Sequence, residues 1–328
     1  MRSRRVPLPV FVALAVVTGL SATGFQERVA LLRDGNHVQV LIDGRPFTTY
    51  YFDPTVAKPY FFPLRSAAGT VVTRGFPMTT AIAGEDRDEP HQRGMYFAHG
   101  DINGFDFWGE AAFPRWSDHA AATFGRTVFR ALDEIRGGAE DGHLRASFDL
   151  VTPTGTIASE AQTFDFRGDD HSRTIDCEFA VHAIHGPVTI GDTKEGTFAI
   201  RVVKALDSPP GRMVNASGAS GEKGIWGKRS EWVDYSGRVA DEDVGVAVLD
   251  HPGNLRAPTY WHARAYGLLA ANPFGLKQFT GNRRQSGTHL IPAGETLVFR
   301  YRVFIHHGDS LQAQVAEAYR QFAAQNQK

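Results

Sequence analysis

The 328-residue chain has a single cysteine, Cys177, so no disulfide can close within it and its stability must come from core packing. Cys177 alternates with Ile175, Phe179 and Val181 along the apolar side of a strand pattern, which reads as a small buried hydrophobe rather than a nucleophile. An excess of either charge is also missing. Lys+Arg 35 stand against Asp+Glu 36, for a formal charge of -1, so no long-range field draws the chain to nucleic acid or anionic lipid. The partner class this leaves is a small molecule or an oligosaccharide. After residue 24 there is no apolar run long enough to cross a bilayer. There is also no internal repeat, no interdomain linker, and no HExxH or HxxxH spacing that would fix two metal ligands on one helix.

The one strongly apolar run lies at the start. Arg2, Arg4 and Arg5 lead into Val6 to Val17, and small residues follow, ending Ala22-Thr23-Gly24. This pattern predicts a signal peptide over residues 1–24, cut after Gly24, and therefore a periplasmic or secreted protein. An uncleaved anchor is the rival reading.

The remainder, residues 25–328, reads as one all-β domain: a two-sheet antiparallel β-sandwich with one C-terminal helix. Short apolar or alternating runs, Val29 to Leu32, His37 to Ile42 and Phe47 to Phe52, are split by Asp34-Gly35-Asn36 and Asp43-Gly44, which are hairpin signals. The segment KPYFFPL carries prolines that cannot donate to a ladder and is expected to stay out of a central strand. Further strands are expected at Val71 to Phe76, Thr123 to Phe129, His143 to Val151, Ile157 to Phe166, Arg173 to Ile184, Thr197 to Val203, Val244 to Leu249, Tyr266 to Ala271 and Leu297 to Ile305. Pro209 to Gly227 reads as a polar surface loop. From Asp309 the period lengthens to about 3.6 residues, with Leu311, Val315, Ala318, Tyr319 and Phe322 on one face and Asp309 or Ser310 as N-cap.

Reactive side chains concentrate between Glu85 and Glu110, in EDRDEPHQRGMYFAHGDINGFDFWGE. A stretch so rich in acids and aromatics fits a cleft whose apolar floor carries a few convergent polar groups. If it is extended, His99, Asp101 and Asn103 share one face. Carboxylates and amides can take paired hydroxyls while Trp108 stacks on a sugar ring, and His91 and Arg93 stand close by. A second cluster, Asp192-Thr193-Lys194-Glu195-Gly196, puts an ammonium beside two carboxylates, the kind of pairing that shifts an acid toward neutrality. Lys228 lies in WGKRSEWVDY, and a last cluster brings Trp261, His262, Arg264 and Asn272. Lone histidines such as His37, His119, His143, His171 and His182 are expected to be structural. His306 and His307 are adjacent on a strand and must point to opposite faces. For a divalent metal, His91, His99, Asp101 and His262 are the available donors, with Ca²⁺ on Asp and Asn oxygens as compatible as zinc.

The segments DEPHQRGMYFAHGDINGFDFWGE, GDTKEGTFAIRV, WGKRSEWVDYSG, LDHPGN, PTYWHARAYGLLAANPFG and FRYRVFIHHGD together resemble the secreted bacterial family labelled "methane oxygenase PmoA-like", over nearly the whole chain after residue 24. Gln92 departs from the family's His-Pro-His-His-Arg pattern at one histidine. The resemblance implies an exported domain similar to the galactose-mutarotase-like β-supersandwich, in which a concave sheet binds sugars and Glu and His serve as base and acid.

The expectation is therefore an exported carbohydrate-active enzyme that hydrolyses, eliminates or epimerises. Glu195 or Glu110 is the expected base, His99 or His262 the acid, and Lys228 and Arg264 stabilise charge. Substrate contacts are expected from His91, Arg93, Asp101, Asn103, Trp108, Asp192, Lys194, Trp261, Arg264 and Asn272. No cofactor is required. A non-catalytic sugar-binding protein and a metal-dependent oxidoreductase are the alternatives.

Overall fold

A computed structural model describes residues 27–80, 82, 84–113 and 123–325. The expected signal peptide, residues 1–24, and His119 lie outside the described residues. Two eight-stranded antiparallel sheets carry the fold. The first runs β1 (Val29–Asp34), β2 (His37–Ile42), β3 (Arg45–Tyr51), β4 (Tyr60–Phe61), β5 (Met95–His99), β11 (Gly196–Arg201), β16 (Leu268–Asn272) and β15 (Tyr260–Ala263). The second runs β12 (Arg212–Asn215), β13 (Trp232–Val239), β14 (Glu242–Asp250), β18 (Thr296–His307), β9 (Ser172–His182), β8 (Gly155–Gly168), β7 (Gly142–Thr152) and β6 (Arg126–Arg136). A small ribbon pairs β10 (Val188–Ile190) with β17 (His289–Ile291).

The opening meander forms as its turn chemistry dictates. Asp43 and Gly44 both take positive φ, 51° and 72°, the requirement of a type I′ hairpin turn. Alternation then puts one set of side chains between the sheets. Phe97 stacks on Phe179 at 4.3 Å and Phe198 on Tyr301 at 4.7 Å, so the centres of the two sheets meet through aromatic pairs. Cys177 lies in this core, as its alternation implied.

Several elements differ from the sequence reading for local reasons. Tyr60 and Phe61 do form a central strand, pairing with β3 on one side and β5 on the other. Pro59 and Pro63 flank the pairing residues instead of interrupting them, so no ladder bond is lost. Residues 71–76 make only the isolated bridges Arg65–Val71 and Thr73–Val202, not a strand. The supposed loop 209–227 contains β12 and a short helix α1 (Gly221–Ile225), and a second short helix, α2 (Leu276–Thr280), also escaped the periodicity analysis. The C-terminal helix, α3 (Val315–Ala323), begins later than expected. The Asp309 carboxylate accepts from the amides of Leu311 and Gln312 and closes a turn there, which leaves Leu311 79% exposed. Val315 and Phe322 pack on Val214, Trp232, Ala247 and Leu249, covering the outer face of the second sheet.

The approach of β4 to β5 depends on Gly94. Its φ is +52°, and a Cβ there would stand 2.0 Å from the Phe61 carbonyl oxygen, a backbone atom that cannot swing aside. Gly94→Ala is expected to cost at least about 2 kcal/mol of stability through backbone strain and this clash. Urea melts of the purified protein read this directly, and an unchanged midpoint would mean the close approach is not required.

Candidate functional site

The face of the first sheet that looks away from the sandwich is built of polar and aromatic residues, and yet it is buried. One row of paired residues crosses it: Tyr60 with Tyr96, Tyr96 with Ala199, Ala199 with Ala270, and Ala270 with His262. At about 4.8 Å per strand the two central alanines set Tyr96 and His262 roughly 14 Å apart. Small side chains in the middle of the row let the overlying groups come down onto the sheet, and Tyr266 and Met78 pack there.

Buried cations tie the covering segments to this face. Arg74 donates from Nη1 to the Asp88 carbonyl (2.8 Å) and carboxylate (3.0 Å), and from Nη2 to the carbonyls of Glu89 (2.8 Å) and Gln92 (3.2 Å). Burial and the charge of Arg201 bring its pKa down to about 10, so it stays charged at neutral pH. Arg201 donates to Gln92 Oε1 at 2.5 Å and to Asp88 at 3.4 Å, and its guanidinium lies 4.3 Å from the centre of the Tyr266 ring. Lys58, fully buried, donates to the Trp108 carbonyl at 2.6 Å and to Glu110 at 3.5 Å. Arg93 grips the same carboxylate with Nε and Nη2, both at 3.0 Å.

Two histidines on this face are neutral bases. His262 Nδ1 lies 3.0 Å from the Lys194 carbonyl oxygen, which can only accept, so Nδ1 carries the proton and Nε2 presents its lone pair. Burial first, then the charges of Lys194 and Arg264, press its pKa down to about 3. His91 Nε2 is 3.5 Å from Glu89 Oε2; this contact favours the proton on Nε2 and leaves Nδ1 as the acceptor. Burial, reinforced by Lys58, Arg74, Arg201 and Arg93, holds its pKa well below the ordinary histidine value. Glu89 is shifted the other way, raised by burial and by the charges of Glu195 and Asp88. Lys194 and Glu195 form an ion pair on the partly exposed side of the cluster.

Buried polar atoms without a hydrogen-bond partner among the described residues concentrate here. They include His91 Nδ1, Tyr96 Oη, Trp108 Nε1, Thr197 Oγ1, Trp226 Nε1 and His262 Nε2. Trp108 packs against Tyr96 with centroids 5.0 Å apart and against His91 at 6.2 Å, and Trp226 lies 6.5 Å from His262. Buried polar groups are normally satisfied, so this concentration makes the face the candidate site.

The sequence-derived site divides between the two faces of the sheet. His91, Arg93, Trp108, Glu110, Lys194, Glu195, His262 and Arg264 belong to the outer face or its covering segments. His99 does not: it follows Met95 and Phe97 on the inward side of β5, donates from Nε2 to the Gly191 carbonyl at 2.8 Å, and packs on Phe274. Nor do His99, Asp101 and Asn103 share an extended face. The chain turns after His99, Asp101 caps the Gly104 amide, and Asn103, at φ 53°, accepts from the Thr189 amide. Trp261 faces the core with its indole donating to the Ser230 carbonyl. Asn272 donates to the Thr193 carbonyl and Asp192 accepts from the amides of Lys277 and Gly287, so both hold the 191–196 segment in place. Lys228 is exposed beyond α1, and Arg264 is paired with Glu222 at 3.1 Å. Glu110 is saturated by two cations, and His262 is an acceptor in the free protein where an acid was expected. Among the described residues no three His, Cys, Asp or Glu side chains gather to hold a metal ion, and His99 lies on the face opposite His91 and His262.

Sequence reasoning missed Lys58, Arg74, Glu89, Tyr96, Arg201 and Tyr266. Tyr96 and Arg201 were legible in principle, because each alternates with core residues on its strand. Lys58 and Arg74 carry no such signal.

Residues 37–320 match a family described as of unknown function, DUF6807. No curated protein matches the sequence. Among solved structures, a galactose mutarotase-like protein from Clostridium acetobutylicum is 9% identical, with a TM-score of 0.42 over 87% of this chain and 100% of that one. The alpha-galactosidase of Lactobacillus brevis is also 9% identical, with a TM-score of 0.41 over 92% of this chain and 43% of that one.

The Lys58–Glu110–Arg93 cluster has a pH signature. Burial alone would raise the Glu110 carboxyl, but the charge of Lys58 and the bonds from Arg93 outweigh it and hold the pKa below the usual 4.5. A depressed folded-state pKa contributes stability that is complete above the unfolded value and is lost as pH falls through the folded one. Glu110→Gln leaves two buried cations without their anion and is expected to cost about 3–5 kcal/mol at pH 7. The gap from wild type should narrow as pH drops below about 4.5. Urea denaturation across pH 3–7 checks this, and a gap constant with pH would contradict the pairing.

Proposed function

We propose, for a chain that belongs to the DUF6807 family of unknown function, that the outer face of the first sheet is the active site of a sugar-directed acid–base enzyme. The observation that carries this reading is the concentration of unpartnered buried polar atoms on one sheet face, beside two histidines whose lone pairs are available.

Glu89 and His91 supply the base. Nδ1 of His91 takes a proton from the ligand, and the imidazolium that results is stabilised by the Glu89 carboxylate behind Nε2. Burial, reinforced by the neighbouring cations, keeps the resting imidazole neutral and ready to accept. Glu195, coupled to Glu89 through charge and steadied by Lys194, is the second carboxylate and exchanges protons with the ligand. His262 Nε2 accepts from a ligand hydroxyl, Trp226 offers its indole N–H beside that ring, and Thr197 offers its hydroxyl from the same sheet face. The mixture of acceptors, donors and flat aromatic rings suits a polyhydroxylated ring better than an apolar or nucleotide ligand. Export to the periplasm or beyond, expected from residues 1–24, is compatible with such a substrate.

The test is proton NMR of the purified protein with a panel of mono- and oligosaccharides, following anomeric exchange, inversion of ring centres and glycoside cleavage. His91→Asn and Glu195→Gln should each lower turnover by about 10²–10⁴-fold while a thermal-shift assay still registers the sugar. Sugars that raise the melting temperature of wild type without being converted would favour a non-catalytic binding protein. A panel that neither binds nor reacts would remove the sugar reading.

A further inference from the structure

We propose that Tyr96 Oη and Trp108 Nε1 form a carboxylate subsite, so that the sugar taken by this face is an acidic one, a uronic acid or an oligosaccharide of uronic acids. The inference rests on the reading of the outer face as a sugar site, and it names the substrate class of that site.

An indole N–H can only donate. The Tyr96 hydroxyl stays protonated, because burial and the nearby Glu195 raise its pKa well above the usual value. Two donors on rings packed 5.0 Å apart, centre to centre, are both buried and both without a partner among the described residues. A hydroxyl ligand between these donors would bring a third proton that needs an acceptor of its own, with His91 Nδ1 the open acceptor on the ring beside Trp108, whereas Glu110 already receives Lys58 and Arg93 on its oxygens. A carboxylate brings acceptors alone.

Cations stand beside the donor pair. Lys58, fully buried, has its Nζ 5.1 Å from the Tyr96 ring centre, and it converges with Arg93 on Glu110 as Arg74 and Arg201 converge on Asp88. Glu195, whose charge also reaches Tyr96, is paired with Lys194. Hydrogen bonds to a charged group are about twice as strong as neutral ones, so the acid form of a ligand should be strongly preferred.

The experiment is calorimetric titration of the purified protein with galacturonate and glucuronate, as monomers and short oligomers, against their methyl esters and the neutral parent sugars. The acid should bind at least about tenfold more tightly than its ester. Tyr96→Phe and Trp108→Phe should each weaken binding of the acid about tenfold and leave the ester nearly unchanged. The acid–ester comparison needs no variant, so it decides the matter even if a substitution unfolds the protein. Equal affinity for acid and ester, or tighter binding of the neutral sugar, would overturn the carboxylate subsite while leaving the sugar site intact. Failure of every acid, ester and neutral sugar to bind would overturn both.

Discussion

A buried guanidinium governs this molecule. Arg74 lies beneath residues 86–92 and donates to the backbone carbonyls of Asp88, Glu89 and Gln92, which folds that segment back over the sheet. Without a fixed fork of donors, those carbonyls would have to face water, and the segment would leave the surface it covers. Glu89 and His91 take their places from this anchoring, and Arg201 extends it by holding Gln92 and Asp88 from the strand below. The site is therefore built from the sheet upward, with cations as the supports and backbone carbonyls as what they hold.

The two sheets divide the work of the fold. Between them lies an aromatic core that supplies the cohesion a chain with one cysteine must find in packing. The outer face of the second sheet meets α3 through apolar contacts, and ion pairs along its strands, such as Arg302 with Asp176 at 2.5 Å, satisfy polar groups there. The outer face of the first sheet is covered by charged loops, and it keeps polar atoms without partners. Unsatisfied buried groups carry a desolvation cost, and on the first sheet they gather on one face.

Electrostatics on that face follow from how the ions are shared. Two cations per carboxylate, at Glu110 and again at Asp88, leave the surroundings of His91 positive, which together with burial keeps its imidazole uncharged. His262 reaches the same neutral state mainly through burial. Glu89 moves in the opposite direction, raised first by burial and then by the charges of Glu195 and Asp88. Groups with pKa values pushed apart within one small region are the arrangement that acid–base chemistry uses.

Alternation and turn chemistry made the sandwich legible from the sequence. A period of two separates Met95 and Phe97 from Tyr96 and Ala98, and Asp43-Gly44 can hardly be anything but a hairpin turn. The importance of residues 85–110 was legible too, from the density of reactive groups among aromatics. Which of those groups meet was not. His99 obeys the alternation, yet its residue type alone points to the site, because the sequence does not say which side of a strand is the outside until the opposite sheet is in place. Lys58, Arg74 and Arg201 are ordinary cations in the sequence and become supports only when strand pairing and loop closure bring distant carbonyls to them. Local periodicity determines faces, turns and strands because it depends on neighbours in the chain. The candidate site depends on β5 pairing with β11, and β11 with β16, across gaps of about a hundred residues or fewer that no local rule bridges, and this pairing brings Tyr96 and His262 onto one face.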